Sequence, residues 1–107
     1  MSQQQAPGYI HMVYFWVKEG TTQDQLAAFQ AGVAKLGEIH HVQSIWVGPP
    51  AGTPREVVDN SYDYALLAFF ENKVAHDAYQ IDPDHHRFVE QFSQLWERVQ
   101  VYDHLPE

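Results

Sequence analysis

Tyr9-Ile10-His11-Met12-Val13-Tyr14-Phe15-Trp16-Val17 is a run of aromatic and β-branched residues that reads as a strand. Side chains of a strand alternate, so His11, Val13, Phe15 and Val17 fall on one side and Ile10, Met12, Tyr14 and Trp16 on the other. Both sides carry apolar bulk. A small antiparallel sheet usually leaves one face to water, so this run implies a sheet covered on both faces. What supplies the two covers decides the fold.

Outward from that strand, Thr22 and Gln25 match a capping box, and Leu26, Phe29, Val33 and Leu36 recur at helical spacing before Gly37, which predicts an amphipathic helix. Ile39 to Val47 reads as a second strand, with Val42, Ser44 and Trp46 on one side and His41, Gln43, Ile45 and Val47 on the other. Gly48-Pro49-Pro50-Ala51-Gly52-Thr53-Pro54 ends it and opens a loop that runs to Ser61. Tyr62 to Phe70 is a third strand, and Lys73 to Tyr79 a short helix. Asp82 then reads as an N-cap, Pro83 as the first helical residue and Asp84 as a charge that suits the positive end of the dipole. The helix they open is expected to reach about Glu97, with Phe88, Phe92, Leu95 and Trp96 on one stripe, and Val99 to Tyr102 supplies a fourth strand.

The order β-α-β-β-α-β is that of an α+β, ferredoxin-like domain, here expected over residues 9–104 after a flexible tail of residues 1–8. Its helices pack on one face of the sheet. A second copy of the chain is the expected cover for the other face, giving a homodimer whose two sheets form an α/β barrel.

The 107 residues suffice for one domain with a modest core, and 45% hydrophobic and 14% aromatic residues are a globular composition. A formal charge of −8 argues against nucleic-acid binding and against anionic membrane surfaces. With no cysteine, disulfides, thiolate chemistry and Cys-based zinc sites are excluded. The N-terminus has neither the basic start nor the apolar core of a secretory signal, and no apolar run approaches the roughly 18 residues of a membrane span. A cytoplasmic location is the expectation.

Tyr79-Gln80-Ile81-Asp82-Pro83-Asp84-His85 sets a phenol and an imidazole at the two ends of a sharp helix start. His85 falls in the first turn, where unpaired backbone N–H groups disfavour imidazolium and favour a neutral ring able to act as a base. The pairs His40-His41 and His85-His86 are not spaced to place two histidines on one helix face, and adjacent residues of a strand point apart. Neither a metal nor a cofactor is expected. The tryptophans Trp16, Trp46 and Trp96 read as core or interface residues.

The order of elements, with His11 early in the first strand, Lys18-Glu19-Gly20 after it, Tyr62-Asp63-Tyr64-Ala65-Leu66 opening the third, and Tyr79, Asp82-Pro83-Asp84-His85 and Phe88-Val89, resembles the stress-responsive A/B barrel (Dabb) family from about Tyr9 to Asp103. The resemblance implies a dimeric α+β barrel. Many members have no assigned chemistry. A plant polyketide cyclase of the family closes a ring by aldol-type chemistry with a Tyr and a His that match Tyr79 and His85, and its first-strand histidine matches His11. Where that cyclase has a third-strand histidine this chain has Tyr64, and where it has a helix-one tyrosine this chain has Gly32.

If His11 faces the helices together with Val13 and Phe15, two imidazoles and a phenol meet in an apolar pocket, which suits proton transfer next to a carbonyl. His85 is then the expected base, Tyr79 the oxyanion donor, and His11 and Tyr64 the polar groups that line a site for a small carbonyl or aromatic metabolite. The chemistry expected is of the cyclase or lyase type. The rival reading is a non-enzymatic stress or ligand-storage protein in which His85 only finishes a helix; a haem-degrading monooxygenase of similar shape is a more distant third.

Overall fold

Thr22 accepts a hydrogen bond from the Gln25 N–H while the Gln25 side chain takes the Thr22 N–H, so the expected capping box is formed. In the computed structural model, which describes residues 6–106, this cap opens α1 (Gln23–Leu36). The remaining elements are β1 (Tyr9–Val17), β2 (Val42–Gly48), β3 (Tyr64–Phe70), α2 (Lys73–Gln80), α3 (Pro83–Phe92), a 3-10 turn (Ser93–Leu95) and β4 (Trp96–His104). The strands form one antiparallel sheet in the order β2-β3-β1-β4, with β1 paired along both edges. This is the ferredoxin-like arrangement.

The alternation expected of β1 holds. His11, Val13 and Phe15 are buried under the helices, whereas Ile10, Met12, Tyr14 and Trp16 stay half-exposed on the opposite face. Phe29, Val33 and Leu36 of α1 meet Leu66, Ala68 and Phe70 of β3 and Phe88 and Phe92 of α3 in one core. Phe29 is fully buried at its centre, with the rings of Phe15, Tyr64, Phe88, Phe92 and Trp96 packed around it. Register carries the open face across the sheet. Leu67 and Phe69 of β3 and Tyr102 of β4 pair beside Met12 and Ile10, and Trp46 of β2 beside Leu67.

Three boundaries differ from the sequence reading. β2 begins at Val42, because residues 37–39 make tight backbone turns onto the end of α1 and Ile39 enters the core from there. A bulge between Val42 and Ser44 then breaks the alternation, so Val42 packs with Ile45 and Val47 against the core and not beside Trp46. β3 begins at Tyr64 and not at Tyr62. The Asp63 N–H still bonds the Phe15 carbonyl, and the Asp63 carboxylate accepts from the Val17 N–H.

The last difference is the largest. α3 ends at Phe92, and the chain crosses a 3-10 turn into a nine-residue β4. Phe88, Phe92 and Leu95 are buried as the stripe required, but pairing of Trp96 with Val17 and the Leu95 carbonyl with the Lys18 N–H draws the chain into the sheet. Residues 1–5 of the expected tail lie outside the described residues, and Gly8 already donates to the Phe70 carbonyl. Among the described residues no helix is long and apolar enough to cross a membrane.

Gly32 lets α1 and α3 approach, since a Cβ there would overlap the buried ring of Phe92. Alanine in a helix normally stabilises by about 1 kcal/mol over glycine, but overpacking costs about 1–3 kcal/mol. We therefore expect Gly32→Ala to lower stability by up to about 2 kcal/mol in a chemical melt. A stabilised variant would contradict this packing.

Candidate functional site

Asp82 is the N-cap of α3, its carboxylate accepting the Asp84 N–H at 2.8 Å, and Pro83 occupies the first turn. This start comes directly after Tyr79 and Gln80 close α2, which brings the His85 ring edge-on to the Tyr79 ring at 4.7 Å between centroids. Tyr79 is 1% exposed and also packs on Phe70 and His11, at 5.0 and 6.3 Å. His85 is half-buried, and its Nδ1 atom is buried without a hydrogen-bond partner. Among the described residues the Tyr79 hydroxyl makes no hydrogen bond.

Both groups are held in their neutral forms. Burial lowers the pKa of His85, with the charges of His86, His11 and His76 adding to the effect and Asp82 opposing it. Burial alone pushes the Tyr79 hydroxyl well above the ordinary phenol value. A neutral imidazole able to accept a proton thus sits against a phenol able only to donate one.

His11 reaches the same region from β1. Its Nδ1 is 2.5 Å from an oxygen of Asp103, which β4 places directly opposite it. Burial lowers its pKa, while the hydrogen bond and charge of Asp103 oppose the shift and His76 adds to it. His76, one helical turn before Tyr79, lies 5.0 Å from His11 and stacks on Tyr9 at 4.2 Å. Tyr9 in turn is pushed up to about 12 by burial and then by its hydrogen bond to Asp103.

Tyr64 is not brought into this group. It lies four residues along β3 from Ala68, the partner of His11, which is roughly 13 Å at strand spacing. Its hydroxyl accepts from the Gln30 side chain at 2.9 Å. His76 and Asp103 are the members the sequence reading missed. His76 carried a signal, being three residues before Tyr79 on one helix face; Asp103 carried none, because only strand register sets it opposite His11.

One ligand atom from each of His11, His76 and Asp103 lies within 4.8 Å of the other two, so three separate elements assemble a set able to hold a metal. Spacing along the chain does not reveal it. Clefts among the described residues also lie elsewhere. One of about 400 Å³ runs between α1 and α3 past Gly32, Lys35, Phe88 and Phe92. The other, about 300 Å³, is on the open face around Tyr14, Trp16, Tyr62 and Arg98, where the guanidinium sits 4.2 Å from the Trp16 ring. Neither is lined by His11, Tyr79 or His85.

The His85 shift has a measurable consequence. The unfolded chain protonates this imidazole near its ordinary value of 6.5, whereas the folded chain resists until lower pH. The stability it contributes is complete above that value and is lost as pH falls below it. Urea midpoints measured between about pH 7.5 and about pH 5.5 are expected to fall, and less steeply in His85→Gln. Equal slopes would show that His85 titrates as in an unfolded chain.

The sequence profile of the stress responsive A/B barrel domain matches residues 10–105. Among solved structures, the chain is similar to hydroxynitrile lyase from Passiflora edulis, with 18% identity, 95% of this chain and 96% of that one covered, and a TM-score of 0.82. It is similar to a dimeric ferredoxin-like protein of unknown function from Thermobifida fusca, with 21% identity, 97% and 95% coverage and a TM-score of 0.79. A Dabb family protein with a ferredoxin-like fold from Mesorhizobium loti is 20% identical over 95% of this chain and 99% of that one, with a TM-score of 0.78. No curated protein matches the chain.

Proposed function

The chain belongs to the stress responsive A/B barrel domain family, and from that premise we propose that it is a cytoplasmic homodimer that binds a small carbonyl-bearing or aromatic metabolite at Tyr79 and His85 and moves a proton on it without a cofactor. His85 takes a proton from a carbon or hydroxyl next to the reacting centre. Tyr79 donates a hydrogen bond to the oxygen that gains negative charge. His11 lines the site from the sheet side.

The observation that carries this reading is the His85 Nδ1 atom, buried and unpartnered beside a phenol that burial keeps protonated. Buried polar atoms nearly always have partners, and a substrate proton would supply one here. The lyase-type chemistry is in keeping with the neighbour from Passiflora edulis, which is named a hydroxynitrile lyase. The dimer reading is supported by the half-exposed apolar residues of the open sheet face and by the relative described as dimeric.

In a second reading the fold serves storage or assembly in a stress response and His85 is structural; it is favoured by the cleft between α1 and α3 and the one on the open face, which Tyr79 and His85 do not line. A thermal-shift screen with salicylate, acetoacetate and acetophenone separates the two. Binding to the folded state alone raises Tm by mass action. A shift abolished by His85→Ala supports the site, whereas no shift, with His85→Ala merely less stable, supports the structural role. Light scattering should give twice the chain mass; a stable monomer overturns the dimer.

A further inference from the structure

We propose that His11, His76 and Asp103 form a binding site for a late first-row divalent cation of the zinc class. The inference goes beyond the acid–base reading, because neither Tyr79 nor His85 is a ligand and only His11 is shared. Two imidazoles and one carboxylate are a donor set that suits zinc and its neighbours and leaves at least one coordination position for water.

The histidines are 5% and 8% exposed, which is unusual company for two polar rings lying 5.0 Å apart. Each ring already has a carboxylate at its Nδ1, Asp103 for His11 and Asp77 for His76, and a cation shared by the two rings and Asp103 would join them in one set of ligands. Asp103 is a third exposed at its side chain, so the cluster has a way in from solvent.

The surroundings orient the donors. His76 Nδ1 lies 3.1 Å from an Asp77 oxygen, and Asp77 is itself held by Lys73 at 2.7 Å. A carboxylate on one ring nitrogen is the usual support of a metal-bound histidine, because it fixes the proton there and leaves the other nitrogen's lone pair free. On this arrangement Nε2 of His76, which the Gln80 side-chain amide meets at 3.4 Å, is the ligand atom, and the ion takes the place of that long contact. Tyr9 stacks on the His76 ring at 4.2 Å and holds its plane.

The distances call for a modest adjustment. Ligand atoms of a tetrahedral ion with bonds of about 2.1 Å lie roughly 3.4 Å apart. The 2.5 Å pair of His11 and Asp103 must therefore open, and the widest separation of 4.8 Å must close. A rotation of the partly exposed Asp103 carboxylate at the end of β4 accomplishes the first. Without an ion, the direct His11–Asp103 hydrogen bond fills the same place.

Cobalt(II) is the probe, added to tag-free, chelator-treated protein. The expected result is one equivalent bound per chain, with visible ligand-field bands of a low-coordinate nitrogen and oxygen site that zinc addition removes. His76→Phe and Asp103→Asn should each weaken binding at least ~10-fold, while His85→Ala binds as the parent does. Circular dichroism establishes that each variant is folded, and Asp103→Asn carries the test should His76→Phe fail to fold. Absence of saturable bands, or bands unchanged in a folded His76→Phe or Asp103→Asn variant, overturns the site. Loss of bands in His85→Ala as well would place the metal elsewhere and also overturn it.

Discussion

Phe29→Ala is expected to lower the free energy of unfolding by about 3–5 kcal/mol, the largest stability effect of any single substitution considered for this chain. Phe29 has no exposed surface and lies against five aromatic rings from α3, β1, β3 and β4. Removing it loses the transfer energy of a phenyl group and leaves a cavity walled by large rings held on three other layers of backbone. Those walls cannot collapse together without moving α1 off the sheet. A domain of this size has about 5–15 kcal/mol in all, so the loss takes a large share of the total. Equilibrium urea unfolding reads the change directly, and a loss below about 1.5 kcal/mol would mean that the core is not centred on this ring.

The second large effect concerns rate. If the pair acts as proposed, α-proton exchange of acetophenone in D₂O, followed by NMR, should slow about 10²–10⁴-fold in His85→Ala, the range for removing a general base. Tyr79→Phe should slow it about 10²–10³-fold, as expected for one lost donor to a developing oxyanion. In the parent, exchange should hold steady around neutrality and fall on the acid side as His85 takes up a proton. The two readings of His85 also differ in stability. Its Nδ1 makes no hydrogen bond, so His85→Ala removes none at that atom, whereas a structural histidine would leave a clear deficit. Exchange at the parent rate in both folded variants would end the catalytic proposal.

The fold was legible because its strongest signals are local. The nine residues of β1 state their own alternation, Thr22 and Gln25 state where α1 begins, and Asp82-Pro83 states where α3 begins. The end of α3 was illegible from the same kind of evidence. Phe88, Phe92, Leu95 and Trp96 fit a helical stripe, but the pairing of Trp96 with Val17 is a contact across 79 residue positions, and it ends the helix at Phe92. The bulge at Val42 is similarly tertiary in origin.

Site residues divide on the same line. Tyr79 and His85 stand six positions apart across one turn, so their proximity could be read from the helix start alone. His11 needed only the face of its strand. Asp103 needed the register of β4 on β1, and Tyr64 needed to be known to sit at the other end of β3, bonded to Gln30. Chemistry assembled by local geometry was visible, and chemistry assembled by strand pairing was not.

The pairing of β1 with β4 joins the first strand of the chain to the last. During synthesis, β1, α1, β2 and β3 leave the ribosome with one edge of the central strand still unpaired. Closure waits for residues 96–104, a contact of high sequence separation that makes the final step slow relative to the helices. Because Asp103 lies on β4, the polar cluster around His11 is completed only when that closure occurs. A folding chain whose β4 has not yet paired would therefore carry an open edge on β1 and no completed cluster.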